Sequence, residues 1–348
     1  MTGDVLDIEG LRVLCFAVVT RRGGGRNGLL VVLALSIVVS ACSSSPARQG
    51  APTTSAHHVA TGTSSASTGC ATSAAPAASE LLQKITVDGA KRLYLLTAPP
   101  VHRGDRLPVV VDLHGLSEGA ALEAITTQFS PKAIADRFIV VFPQGTGNPV
   151  GWDIQPATSG HPNHDIDFMN ALLNTLEAQR CVDASRIYAT GLSDGALFTS
   201  LLACTMANRF AAFAPVAGVV VPQPCQPAHP VPILAFHGTA DPILPFNGGT
   251  PGTTAPPVNL FGPGYPANVQ AWAVKDGCNP TPTDTQVATH VILRTYPCPP
   301  GAAVEFYIVV GGGHAWPGST ISAMNGPSTF EINATDLIWA FFRHYRLT

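Results

Sequence analysis

Charge is scarce in this chain: only 12% of its 348 residues are charged, and the formal net charge is −3. No basic run or patch appears, so nucleic acid is not an expected partner. Long apolar runs are lacking too. The N-terminal one, Gly28 to Val39, has 12 residues, against the roughly 20 that a membrane-spanning helix needs. There is no internal repeat. The 33 Gly and 31 Pro fall in loops between apolar runs and follow no fixed period, which excludes a fibrous chain. What is present is 46% hydrophobic content, enough for one large domain with a well-buried core.

The N-terminal run reads as an export signal. Arg21, Arg22 and Arg26 precede it, and Val39-Ser-Ala-Cys42 follows. A basic segment, a short apolar segment and small residues at a cleavage site make a signal peptide. A cysteine directly after those small residues resembles a bacterial lipobox, which implies cleavage before Cys42 and lipid on its sulfur. The expected location is therefore the outer side of a cell membrane, with ordinary secretion as the alternative. The stretch before Arg21 is long for a signal, which puts Met1 upstream of the expected start. Thr20-Arg-Arg22 suggests twin-arginine export, but the rest of that signal is poor. Residues 43–79 are rich in Ser, Thr, Ala, Gly and Pro and nearly devoid of large apolar side chains. They cannot bury enough surface to fold and read as a flexible tether. The division expected is thus signal 1–42, tether 43–79 and folded domain 80–348.

Within the domain, two apolar segments flank Asp88-Gly89, a hairpin signal. Buried-strand runs follow at Pro108 to Leu113, Phe138 to Phe142, Ile187-Tyr188, Phe210 to Val216, Val231 to Phe236, Val291 to Tyr296 and Val304 to Val310. Helical patterns lie at about Glu118 to Gln128, Asp165 to Gln179, Ala196 to Ala207, Ala267 to Lys275 and Thr335 to His344. Buried strands alternating with helices imply an α/β fold with a mostly parallel sheet covered on both faces. Such sheets place their chemistry beyond the carboxyl ends of the strands.

Gly191-Leu-Ser193-Asp-Gly195 sits between a strand run and a helical run. A serine on a tight Gly-flanked turn between strand and helix is a nucleophile elbow. The pattern alone is weak, because Gly115-Leu-Ser117-Glu-Gly119 matches it too. Ser117 follows too few strands, and the His114-Gly115 before it has the look of an oxyanion loop, so Ser193 is the nucleophile candidate. After the nucleophile, the chain order for this fold is acid and then histidine. Asp241 in His237-Gly-Thr-Ala-Asp and His314 in Gly311-Gly-Gly-His both fall just beyond buried strands and fill those places. The backbone amides of Asp194 and Leu116 are the oxyanion candidates. Trp152 and Trp316 are candidates to line a substrate pocket, with packing as the equal alternative. The Pro/Gly-rich stretch from Pro242 to Pro266 is long for a connector and is expected to border the cleft. His161-Pro-Asn-His164-Asp165-Ile-Asp167 mimics a metal cluster, but as a helix opening it needs no ion. No metal or cofactor is expected.

Leu113-His-Gly, Arg186 to Ala196, Phe210 to Gly218, Ala235 to Asp241 and Gly311 to Gly318 together resemble an esterase family. It includes polyhydroxybutyrate depolymerases, feruloyl esterases and acetylxylan esterases, some of them lipid-anchored. The resemblance runs from about Lys84 to His344. It implies an α/β-hydrolase fold, Ser193, Asp241 and His314 as a triad, and hydrolysis of carboxylic esters without a cofactor. The acyl group, whether feruloyl, acetyl or short hydroxyalkanoate, is not specified. Polymer depolymerases of the family often carry an extra polymer-binding domain, and here one helix follows His314, which argues against insoluble polymer as the substrate. The rival readings are an idle binding protein on a hydrolase scaffold, and a lipase or peptidase of the same fold.

Beyond Cys42, six cysteines remain in an exported domain, an even number that suggests disulfides. Cys278 and Cys298 flank a helix-to-strand excursion and are paired. Cys204 with Cys225 and Cys70 with Cys181 is a guess for the other four. Buried free thiols are the alternative.

Overall fold

A computed structural model describes residues 67–71, 77–102, 104–158, 160–248, 264–321 and 326–347, and two short strands near the N-terminus. Those two, β1 (Asp7–Ile8) and β2 (Leu11–Arg12), pair antiparallel within a separate unit, residues 1–58. The signal segment's apolar run and Cys42 lie outside the described residues. No described helix is long and apolar enough to cross a membrane.

The second unit is built on a ten-stranded sheet. Its central strands are β5 (Leu107–Leu113), β6 (Ile139–Pro143), β7 (Val182–Leu192), β8 (Ala212–Val216), β9 (Ile233–Gly238) and β12 (Val304–Val309). They pair parallel in the order β6-β5-β7-β8-β9-β12. Antiparallel hairpins extend both edges: β3 (Ala78–Val87) with β4 (Ala90–Ala98) beside β6, and β10 (Thr283–Ala288) with β11 (Val291–Tyr296) beside β12. The β3–β4 turn is Asp88-Gly89, with φ of 49° and 80°. Two positive φ values match the twist of the flanking strands, which is what the sequence pair was expected to supply.

The central strands are apolar on both faces because helices cover both. Val109 and Val111 join one core and Val110 the other; Ile139 and Val141 likewise alternate with Val140 and Phe142. On the first face lie α3 (His164–Gln179), α4 (Asp194–Thr205) and α5 (Tyr265–Lys275), through Phe168, Leu172, Phe198, Leu202 and Trp272. On the other lie α1 (Ala120–Thr127), α2 (Phe129–Asp136) and α6 (Ala334–Phe342), through Ala124, Phe129, Ala133, Ile338 and Phe342. Each of the Phe, Leu and Ile side chains among these, fully buried, contributes about 1.5–3 kcal/mol relative to exposure.

Two elements depart from the sequence reading. Helix α2 was not expected; Gln128 at φ 57° ends α1, and Pro131 fits the first turn of the next helix, where no N–H is needed. Strand β10 was not expected either, because Thr-Asp-Thr-Gln-Val-Ala has no buried face and its exposed edge gives no apolar alternation. The tether boundary is also corrected. Ser67 Oγ donates to Arg180 O at 2.8 Å and accepts from Val182 N at 2.9 Å, and Cys70 is disulfide-bonded to Cys181. The stretch from residue 67 is therefore fastened to the domain, and β3 begins at Ala78 rather than after Ser79. Cys204–Cys225 and Cys278–Cys298 are the other two disulfides. Three disulfides are characteristic of an oxidising, extracytoplasmic compartment.

Candidate active site

Ser193 stands between β7 and α4 at φ 59°, ψ −118°, a backbone region closed to most L-residues. Holding it there costs on the order of 1–3 kcal/mol, which the surroundings must offset. Ser193 N donates to Val216 O at 3.0 Å, and the amides of Ala196 and Leu197 converge on Ser193 O at 2.9 and 3.0 Å. The flanking glycines are required by space. A Cβ on Gly195 would lie 1.9 Å from the Leu113 carbonyl oxygen, and one on Gly191 would lie 2.5 Å from the same atom. The turn is thus wedged against the end of β5, and the elbow geometry follows from the two missing side chains. Ser117 also has a positive φ, 65°, but it lies in the loop after β5 and not between a strand and a helix, its amide bonded to Val150 O at 2.7 Å.

The loops after β9 and β12 bring Asp241 and His314 together. Both are buried, and His314 Nδ1 lies 2.7 Å from Asp241 Oδ2. Since Asp241 only accepts, Nδ1 carries the proton and Nε2 is left as the basic nitrogen. Asp241 Oδ1 accepts from the amides of Ile243 and Leu244, each at 2.8 Å. Burial alone would raise the Asp241 pKa. The hydrogen bonds and charges of His237 and His314 outweigh that and hold the carboxyl well below the usual carboxylate range. Among the described residues, neither Ser193 Oγ nor His314 Nε2 has a hydrogen-bond partner. Nucleophile–base contacts in unliganded sites commonly tighten only when substrate binds.

His237 was passed over in the sequence as a strand residue. Its Nε2 donates to Leu244 O at 2.8 Å and lies 3.3 Å from Asp241 Oδ2, so the carboxylate is flanked by two imidazoles. Its ring stacks on Tyr265 at 3.8 Å. Its position four residues before the acid, in His237-Gly-Thr-Ala-Asp241, was the available signal. Pro242 to Pro266 lies partly outside the described residues, but both described ends of that stretch, Leu244 and Tyr265, hold this histidine.

Leu116 and Asp194 lie on either side of Gly151, where a Cβ would meet Leu116 Cδ1 and Asp194 Oδ2, each at 2.8 Å. The Asp194 amide opens α4, where N–H groups have no intrahelical acceptor. The Leu116 amide makes no backbone hydrogen bond among the described residues. Both N–H groups are therefore available to an oxyanion. The loop carrying Leu116 is fixed by His114, whose Nδ1 donates to Gly115 O at 2.8 Å while Nε2 accepts from Gly145 N at 2.9 Å. Burial lowers the His114 pKa, consistent with a neutral ring. Glu118 Oε2 accepts from Gly115 N at 2.9 Å. Its pKa is raised by burial, opposed by that N–H and by the charge of nearby His314. The Asp194 carboxyl is pushed up to about 6 by burial, against a 2.8 Å hydrogen bond from Trp152 N.

The two tryptophans are buried and packed, the second of the two readings the sequence left open. Trp152 is 7% exposed, stacks on Phe198, and donates from Nε1 to His114 O at 2.9 Å. Trp316 is 1% exposed, meets Phe129 edge-on, and donates from Nε1 to Thr335 Oγ1 at 3.1 Å. Their indole N–H groups are satisfied inside the protein, which is what packing residues require. The segment from His161 to Asp167 opens α3: Asn163 Oδ1 accepts from the amides of Asp165 and Ile166, and Asp165 pairs with Arg92 at 2.6 Å. His164 and Asp167 face solvent beside Asp88.

Residues 92–244 match the family profile of the esterase PHB depolymerases. Feruloyl esterase B of Piromyces equi is 29% identical over 233 residues, which is 64% of this chain and 42% of that protein. This chain thus spans less than half the length of that relative. A putative esterase, NocK, of Nocardia uniformis subsp. tsuyamanensis is 28% identical over 276 residues, 73% of this chain and 80% of that one. Among solved structures, an acetyl xylan esterase from Aspergillus awamori superposes with a TM-score of 0.54 at 16% identity, covering 76% of this chain and 99% of that one. The shared architecture is the α/β-hydrolase fold.

Proposed function

We propose, from the esterase PHB depolymerase domain this chain carries, that it hydrolyses carboxylic esters through an acyl-enzyme on Ser193. The observation that carries the reading is the hydrogen-bonded pair His314–Asp241 at the same sheet edge as a strained serine. His314 Nε2 takes the Ser193 proton as Oγ attacks the ester carbonyl. Asp241 fixes the tautomer and stabilises the imidazolium that forms. The amides of Leu116 and Asp194 hold the oxyanion, and each such donor typically lowers the barrier by about 2.7–4 kcal/mol. The imidazolium then protonates the departing alcohol, and the neutral ring activates water to release the acid.

The relatives' names, feruloyl esterase and acetyl xylan esterase, support aroyl or acetyl esters of sugars as the substrate class. Export and a lipid on Cys42 complete the reading, with the disulfides supporting an extracytoplasmic site. Ser193→Ala should abolish both labelling by a serine-directed phosphonate and hydrolysis of 4-nitrophenyl acetate. Hydrolysis by that variant near the wild-type rate would refute the assignment. Radiolabelled palmitate should enter the wild-type protein and not Cys42→Ala; equal labelling of the two would remove the anchor from the reading.

A further inference from the structure

The described residues in the connections that leave the carboxyl ends of the six parallel strands are 114–119, 144–158, 160–163, 193, 217–232, 239–248, 264, 310–321 and 326–333. None of them is a lysine or an arginine. The chain has 19 such residues, so their absence from these described connections is a feature of the site. Carboxylates are not excluded. Asp194 follows the nucleophile, and Glu118 acts on His314 across the oxyanion loop. The ion nearest to Asp194 in effect is another carboxylate, Asp165, whose own cation Arg92 is buried with it. Large apolar side chains exposed on these loops include Leu116, Ile243, Ile321 and Phe330, beside exposed neutral polar residues such as Ser117, Asn148, Gln155 and Asn247 and one further carboxylate, Glu331.

We infer that this site selects esters that carry no negative charge near the scissile bond, and rejects acyl or alcohol groups bearing a free carboxylate. The inference rests on the esterase reading and narrows it. A partly buried carboxylate beside the reaction centre repels an incoming anion through a medium less polarisable than water. No guanidinium or ammonium on these loops can offset it. Neutral acetyl and aroyl esters of sugars pass. Hydroxyalkanoate oligomers whose terminal carboxylate falls within a residue of the cleaved bond do not.

The test compares the 4-nitrophenyl monoester of adipic acid with its methyl ester, which has the same acyl chain with the carboxylate capped. At pH 8, kcat/KM for the capped ester should exceed that for the anion by at least ~10-fold, about 1.4 kcal/mol of barrier. The ratio should shrink in 0.5 M NaCl, where screening shortens the reach of charge. Glu118→Gln keeps an oxygen for the Gly115 amide and should also reduce the ratio. A ratio near one at low salt, or one indifferent to salt and to Glu118→Gln, overturns the inference. Hydrolysis of neither ester, with no phosphonate label on Ser193, would instead bring down the esterase reading itself.

Discussion

Asp241→Asn tests the site most sharply, because the structure dictates how the new amide must sit. Asp241 Oδ1 accepts two backbone N–H groups, from Ile243 and Leu244, each at 2.8 Å. An amide NH2 cannot take that place without facing two donors, so the Asn oxygen must occupy it. The NH2 then falls where Oδ2 was, 2.7 Å from His314 Nδ1. It can only donate there, so His314 has to present a lone pair at Nδ1 and carry its proton on Nε2. That tautomer cannot accept the proton of Ser193. The substitution also turns a second donor toward His237 Nε2, which already donates to Leu244 O. Wrong-tautomer substitutions of this kind cost about 10⁴ in kcat, or about 5.4 kcal/mol. The assay is kcat for 4-nitrophenyl acetate at pH 7.5, with Tm to show that the fold is kept. ¹⁵N chemical shifts of the His314 ring should report the proton moving to Nε2. A variant with native Tm that retains more than ~1% of kcat would refute this argument.

Other outcomes follow from the same geometry. His237→Phe keeps the stacking on Tyr265 but removes a donor shared with Asp241; kcat should fall several-fold with KM little changed, as about 1 kcal/mol for a weakened bond to a charged group implies, and unchanged kcat in a stably folded variant would count against that role. Gly195→Ala drives a methyl into the Leu113 carbonyl at 1.9 Å; the elbow should be lost, with kcat down by at least ~10³ and a lower Tm, and near-native activity would contradict the packing described. Asp112 and Glu123 are fully buried, with burial raising the Asp112 carboxyl to about 7 and Glu123 well above its usual value. Folding therefore retains protons that the unfolded chain releases above about pH 4, so this pair costs stability progressively from there to about pH 7 and beyond. Glu123→Gln should narrow the drop in Tm between pH 5 and pH 8; an unaltered drop would show that these carboxyls do not titrate with folding.

The architecture was legible where local pattern and burial coincide. Runs such as Val109-Val-Val and Val140-Val-Phe are apolar at every position because both faces are covered, and that alone implied a parallel sheet. Ser193 could be distinguished from Ser117 because strand order, not the motif, separates them. Asp241 and His314 were legible by their places after strands. His237 was passed over, since a histidine inside an apolar strand reads as packing unless its spacing from Asp241, four residues on, is weighed. Trp152 was left open between pocket and packing for a related reason: an indole near a site signals bulk, and only the partners of its N–H distinguish a wall from a clamp. Strand β10 gave no apolar period because one of its edges and both of its faces meet solvent.

The fastening of Cys70 to Cys181 has a mechanical consequence. Cys181 directly precedes β7, and Ser193 directly follows it; between them β7 runs alongside the length of β5, from Leu107↔Val182 to Leu113↔Gly191, about 20 Å at the usual rise. Residues 67–71 therefore grip the domain at the end of β7 opposite Ser193, so a pull on them would be borne by the sheet and not by the strained turn.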